Sequence, residues 1–330
     1  MASPGPAARP PIHAFGPSRG VLVVGHGTAD PVGAEESRQV ARLVASMLPG
    51  VPVELGFLEV IGPSIAESLQ RLAARGCREV VAAPLLLFTA GHARQDVPEA
   101  LREAARMAGV SVRQSAAFGC HEKILALSRL RRRQAVASLF PLPPEATVLV
   151  MVGRGSSDPA APGQLHAFAT ATLHAADEPL PGRIELGFVA AARPTLAEAI
   201  AAAAGEVAGS SDLRHPAHGE EKPGTAGLRG PGAPRIDLLD GTGPGKGPVQ
   251  RVPVQRVIVQ PHLLFSGHVE EQVSAAVRDG RKARPEIEWV QVNRLGPDPL
   301  VAEAVVERAA QAADEAWACR DRGTVSPETA

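Results

Sequence analysis

Tyrosine is absent from this 330-residue chain, and aromatic residues make up only 3% of it. Surfaces that stack single-stranded nucleic acid need aromatic faces, so that class of function is argued against. No excess of one charge is present either. The formal net charge is -1, which gives no broad basic field and no reason to expect a nucleic-acid partner. The three cysteines, Cys77, Cys120 and Cys319, are far apart and form no CxxC. A disulfide framework or an iron–sulfur site is therefore not expected, and a cytoplasmic compartment fits best. Long apolar runs are missing too. The run VVAAPLLLF is too short to cross a bilayer and reads as a buried strand, so no membrane is expected as partner. The start, MASPGPAARPPIHAFGPSRG, lacks a basic stretch followed by an apolar one, and residues 1–19 read as a flexible tail rather than a signal peptide.

What the chain does have is a repeat. VVGHGTADP from Val23 matches MVGRGSSDP from Met151, and VELGFLEVIGPSIAESL from Val53 matches IELGFVAAARPTLAEAI from Ile184. VVAAPLLLFTAGH from Val80 matches VIVQPHLLFSGH from Val257. Three matches in one order point to an internal duplication. The hydrophobic fraction of 45% supports a core in each copy. The expected domains are a first lobe over 20–133, a linker over 134–145, a second lobe over 146–313 and a tail over 314–330.

Spacing locates an insertion in the second copy. From Val53 to Pro84 is 31 residues, whereas Ile184 to Pro261 is 77. The surplus falls mainly in 206–250, which holds 10 Gly and 6 Pro in 45 residues and reads as a mobile loop or linker. His215 and His218 lie in it, as solvent-exposed side chains or as collectors of metal. GTGPGKG at 241–247 is not a phosphate loop, because Gly247 follows the lysine where Ser or Thr is needed.

Strands and helices alternate. VLVVG at 21–25 is an apolar strand, and residues 34–48 set Val40, Leu43, Val44 and Met47 on one helical face. VELGFL at 53–58 is the second strand, and Ile65, Leu69 and Leu72 mark the next helix. EVVAAPLLLF is a third strand whose end becomes a loop, since Pro84 removes a ladder donor. A helix over 97–108, a strand over 111–116 and a helix over 121–133 follow, and the second copy repeats the order. The fold class expected is α/β: two similar three-layer lobes with mostly parallel sheets covered on both faces.

Ligands of open α/β sheets bind beyond the carboxyl ends of the strands. Three residues fall there in the first copy. His26 follows the first strand, within GHGTADP; Glu59 follows the second; His92 lies in the loop after the third, within TAGHARQDVP. Two imidazoles and a carboxylate suit Co²⁺, Fe²⁺, Ni²⁺ or Zn²⁺. The bland alternatives are a structural histidine at 26 that caps the next helix and a solvent-facing cap at Glu59; the small and polar residues around His92 describe an exposed loop. In the second copy Arg154 replaces His26 and Ala190 replaces Glu59, while His268 resembles His92. A lone histidine is a poor metal site, so that lobe reads as having lost metal chemistry. Arg154 suits a carboxylate ligand or is structural. His262 and His268 are lesser candidates. His121 reads as a helix-start residue, and His13, His166 and His174 have no supporting context.

The ordered set VVGHGTADP, GFLEVIGPSIAESL, PLLLFTAGHARQDVP, VGRGSSDP, GFVAAARPTLAEAI, PHLLFSGH and NRLGPDPLVAEAV resembles sirohydrochlorin chelatases of the CbiX/SirB family in their long, two-lobe form. The resemblance covers about 20–133 and 146–313. It implies an ATP-independent metal chelatase. His26 and His92 would be its catalytic and metal-binding residues, and Glu59 the acidic residue that faces substrate and assists metal or protons. It implies that Leu87, Phe88, Thr89, Ala90, Gly91 and His92 border the macrocycle, with Arg154 the usual second-lobe replacement for His26; His268 and the long insertion depart from the pattern. The substrates implied are sirohydrochlorin and a divalent metal, with no tightly bound cofactor. Cobalt, for cobalamin, is favoured over iron, for siroheme. A metal-delivery protein or a downstream tetrapyrrole enzyme is a further expected partner. The rivals are a non-catalytic metal or tetrapyrrole carrier of the same fold and a metal-dependent hydrolase. A hydrolase would want more carboxylates than Glu59 to hold metal and water.

Overall fold

The computed structural model describes residues 15–88, 95–173, 181–205, 235–237 and 252–321. The first lobe runs β1 (Arg19–Gly25), α1 (Pro31–Met47), β2 (Val53–Phe57), α2 (Ile65–Ala74), β3 (Glu79–Pro84), α3 (Asp96–Ala108), β4 (Ser111–Gln114) and α4 (Glu122–Val136). The second runs β5 (Thr147–Gly153), α5 (Ala161–Ala171), β6 (Arg183–Phe188), α6 (Leu196–Ala203), β7 (Arg235–Asp237), β8 (Arg256–Pro261), α7 (His268–Ala283), β9 (Glu288–Gln291) and α8 (Pro299–Asp321). The sheet orders are β2-β1-β3-β4 and β7-β6-β5-β8-β9. Every pairing is parallel except β6 with β7.

Local chemistry repeats with the sequence. Ser64 and Glu67 form a capping box at the start of α2, and Thr195 and Glu198 form its counterpart at α6. The Phe57 N–H donates to the Pro63 carbonyl at 2.8 Å, and the Phe188 N–H donates to the Pro194 carbonyl at 2.9 Å. Asp30 caps α1 by accepting from the Val32 N–H at 3.0 Å.

Alternation along the central strands splits the interior into three. Leu22 and Val24 of β1 face an outer core with α2 and α3 residues. Val148, Val150 and Val152 of β5 face a second outer core with α6 and α7 residues. The other faces, Val21 and Val23 in one lobe and Leu149 and Met151 in the other, belong to a single inner core. That inner core is built by exchange of the last helices. α8 follows β9 in sequence but packs on β3, β4, α1 and α4 of the first lobe. α4 of the first lobe reaches β9, and Gln260 of β8 donates to the Ser128 carbonyl and hydroxyl of α4, both at 2.8 Å.

Some boundaries differ from those read in the sequence. Phe15 is buried in the inner core and the Arg78 N–H donates to the Ser18 carbonyl at 2.8 Å, so the tail expected over 1–19 is already anchored from Phe15. α4 extends through Val136 into the expected linker, and α8 continues to Asp321 through the expected tail, because Ala309, Ala310, Ala312 and Ala313 bury an apolar face that carries the helix on. In the insertion, β7 pairs as an edge strand with β6; the remainder, with His215 and His218, lies outside the described residues.

A shared inner core couples the stabilities of the lobes. Val305→Ala on α8, fully inside that core, is expected to cost about 2 kcal/mol of unfolding free energy. Urea unfolding should remain one transition for the whole chain. Two separated transitions, only one of them shifted, would contradict the coupling.

Candidate functional site

The order β2-β1-β3-β4 reverses direction at β1, so the crevice at the carboxyl ends of β1 and β3 is the topological switch point of the first sheet. His26 stands there, one residue beyond β1. The Glu59 N–H donates to the His26 carbonyl at 3.1 Å, which draws the loop after β2 against the loop after β1. Gly27 makes the approach possible. Its φ is +101°, and a Cβ would overlap the Glu59 carbonyl oxygen. The side chains then meet: His26 Nε2 lies 3.2 Å from Glu59 Oε1, with both about half exposed at 46% and 59%.

This pair has a defined chemical capacity. With Nε2–H donating to the carboxylate, the Nδ1 lone pair is left for a metal ion or a proton. Among the described residues no group of three or more His, Cys, Asp or Glu side chains is assembled to hold a metal. His92, with Thr89, Ala90 and Gly91, lies outside the described residues. Leu87 and Phe88 are half-buried and pack on the inner core, and the Gly119 N–H donates to the Leu87 carbonyl at 2.8 Å.

The second lobe keeps the backbone device without the side chains. Gly155 has φ +89°, and its Cβ would overlap the Ala190 carbonyl oxygen. The Ala190 N–H donates to the Arg154 carbonyl at 2.9 Å. Arg154 is exposed at the end of β5, and methyl Ala190 offers it no carboxylate. His268 opens α7, exposed, with its ring 2.6 Å from the Gln272 amide nitrogen and 3.4 Å from Glu271. His121 caps α4, its Nδ1 accepting from the Lys123 N–H at 3.3 Å, as the sequence suggested. His166 is exposed on α5. His13 and His174 lie outside the described residues.

His262 stands where the first lobe has Leu85. It is buried, with both ring nitrogens unpartnered among the described residues, and packs against Phe168 and Phe88 at centroid distances of 4.0 and 4.8 Å. Burial pushes its pKa down to about 3. Sequence reading missed one cluster altogether. Glu36, Glu270 and Arg294 form an ion-pair network between the lobes. The available signal was Glu36 itself, a carboxylate four and eight residues before Val40 and Val44 on the buried stripe of α1.

Comparison with known proteins adds to this geometry. A family model described as CbiX matches residues 20–135 and 249–312, more than half of the chain. The chain belongs to the CbiX family. Within it, the chain is similar to a sirohydrochlorin cobaltochelatase of Priestia megaterium, 31% identical over 149 residues, covering 45% of this chain and 48% of that protein. It is also similar to a sirohydrochlorin ferrochelatase of Bacillus subtilis strain 168, 33% identical over 147 residues, covering 42% of this chain and 52% of that protein. The chain spans about half the length of the curated relatives it matches. Among solved structures, SirB from Bacillus subtilis with Fe³⁺ superposes with a TM-score of 0.66 at 20% identity, over 91% of this chain and 98% of SirB. That likeness establishes the chelatase-type two-lobe α/β fold.

Two measurements test the local readings. Gly27→Ala is expected to cost at least ~2 kcal/mol in denaturant unfolding, because strain at positive φ and overlap with Glu59 act together. Gly50→Ala, at φ +84° with open space around its Cβ position, should cost only about 1 kcal/mol; equal costs would remove the close-approach argument. His262 gives a pH signature. Its folded pKa of about 3 lies below the unfolded value, so the folded state resists a proton that the unfolded state accepts. Its neutral form is unpenalised above about pH 6.5, and stability is lost as pH falls from there towards 3. In His262→Leu the loss of unfolding free energy between about pH 7 and pH 5 should shrink by ~2 kcal/mol. An unchanged acid limb would mean that the imidazole is not held neutral.

Proposed function

We propose that this CbiX-family chain is a sirohydrochlorin chelatase, inserting a divalent metal into the macrocycle with release of two protons and without ATP. The observation that carries the reading is the His26–Glu59 pair at the switch point of one lobe, with arginine and alanine at the matching positions of the other. The relatives' names support the substrate class.

The chemistry follows from the groups at hand. His26 presents a nitrogen lone pair to the metal ion, and His92 supplies the second imidazole. Insertion requires the macrocycle to lose two N–H protons, and an imidazole nitrogen is a base that can take one of them. One nitrogen cannot hold metal and proton together. The two functions are therefore divided among His26, His92 and Glu59, or alternate in time. Leu87, Phe88, Thr89, Ala90 and Gly91 border the bound macrocycle. Arg154, across the cleft, pairs with one of the peripheral carboxylates. The metal is a substrate, and no tightly held cofactor is needed. No described helix is long and apolar enough to cross a membrane, and we place the reaction in the cytoplasm. Co²⁺ and Fe²⁺ both accept nitrogen and oxygen donors. We put cobalt first, on the resemblance to the long form, and iron second.

The test is anaerobic turnover of sirohydrochlorin with Co²⁺ and Fe²⁺ in competition, followed by the visible spectrum. His26→Ala should slow insertion about 100-fold or more without unfolding the chain, and His92→Ala should also cripple it. Arg154→Ala should raise the half-saturating sirohydrochlorin concentration about ten-fold and leave that for metal unchanged. Tight binding of both substrates without turnover would make the chain a carrier. Full activity in His26→Ala would place the chemistry elsewhere.

A further inference from the structure

Glu36 is a carboxylate with only 10% of its side chain exposed, and all of its partners come from the second lobe. Its Oε2 accepts from the Ser266 N–H at 2.8 Å and from Arg294 Nε at 3.1 Å, while its Oε1 accepts from Arg294 Nη2. Arg294 Nη1 donates to both oxygens of Glu270, at 2.8 and 2.9 Å. Two more residues of the same α1 face complete the contact. The Asp30 carboxylate faces the Ser266 side chain, which helps to hold its pKa below the ordinary value. Gly33 admits the Ser266 carbonyl, which a Cβ there would overlap.

Glu36 lies ten residues from His26, and Asp30, at the start of α1, lies four. The Asp30 N–H donates to Thr28 Oγ1 at 3.1 Å, so the chain from His26 to the helix is a short tied turn. Fixing the first two turns of α1 therefore fixes the loop that carries His26.

The duplication supplies an internal control. By the repeat, Glu36 corresponds to Gln164. The paired bonds from Phe118 N–H to the Leu86 carbonyl and from Leu295 N–H to the Leu263 carbonyl set Arg294 against Ala117. At these two positions the other side thus has neither the carboxylate nor the guanidinium. The carboxylate of the Glu36–Arg294 pair belongs to the lobe that holds His26 and Glu59.

We propose that Arg294, acting through Glu36, is a positioning residue that sets the placement of the His26–Glu59 pair against the second lobe. The proposal rests on the reading of His26 as the metal-handling imidazole. Loss of Arg294 leaves Glu36 buried, without its cation and close to Glu270, so α1 shifts or frays at its start. Small displacements of reacting groups carry large rate costs.

The experiment uses the full chain and three variants: Arg294→Met, Arg294→Lys, and the double change Glu36→Gln with Arg294→Met, which removes the stranded carboxylate and protects folding. Amide hydrogen exchange is read first. Exchange over residues 26–34 should quicken about ten-fold or more in Arg294→Met and in the double variant, with α2 and β3 unchanged. In steady-state chelation, kcat should fall about ten-fold or more while KM for sirohydrochlorin stays within about three-fold. Arg294→Lys should recover part of the lost kcat. Unchanged exchange over 26–34, or wild-type kcat in the double variant, overturns the proposal. A raised KM for sirohydrochlorin with kcat intact also overturns it, and makes Arg294 a substrate-carboxylate ligand. Absence of turnover in the unaltered protein would sink the chelatase reading alone, and the exchange pattern would still decide the clamp.

Discussion

The inner core is the constraint on which the rest of this structure depends. Each central strand is buried on both faces, and its inward residues pack into the one core that the two lobes share. Exchange of the last helices closes that core. α8 covers β3 and β4 of the first sheet, and α4 reaches across to β8 and β9 of the second. Polar pairs cross this seam, Gln260 with Ser128, Arg131 with the Leu295 carbonyl and Asp298, and Lys123 with Glu303, whereas His262 is buried there with both ring nitrogens unpartnered among the described residues. The two strand-end crevices are consequently held as parts of one body.

On that frame, duplication has separated backbone from chemistry. Gly27 with Glu59 and Gly155 with Ala190 make the same close approach, at the same point of each sheet. The glycine is kept wherever the main chains must touch. The side chains borne on those main chains differ freely, since they point into open space and cost the fold little. One lobe therefore carries an imidazole and a carboxylate, and the other a cation. The asymmetry extends to the clamp of Glu36, Glu270 and Arg294: the positions that match Glu36 and Arg294 are Gln164 and Ala117.

Much of this was legible in the sequence, for physical reasons. The strands VLVVG and TVLVMVG are continuous apolar runs that only a doubly covered sheet accommodates. The meeting of His26 and Glu59 was legible because each lies just beyond the carboxyl end of a strand. The CbiX family was legible from the ordered motifs. The helix exchange was not, because an apolar face specifies burial but not the partner that buries it. The edge pairing of β7 was hidden by the glycines and prolines around it. The burial of His262 was hidden as well: PHLLF reads as a strand end open to a crevice, whereas Phe88 and Phe168 close over the ring from other elements. Arg294 was hidden because its partners lie 258 and 24 residues away along the chain.

The central claim is that metal chemistry belongs to one lobe, built around His26. Equilibrium dialysis of the full chain against Co²⁺, without macrocycle, tests it most directly. One tightly held ion per chain, lost in His26→Ala and retained in His268→Ala, is the predicted result. Two equivalent ions per chain, or a single ion that survives His26→Ala, would contradict it.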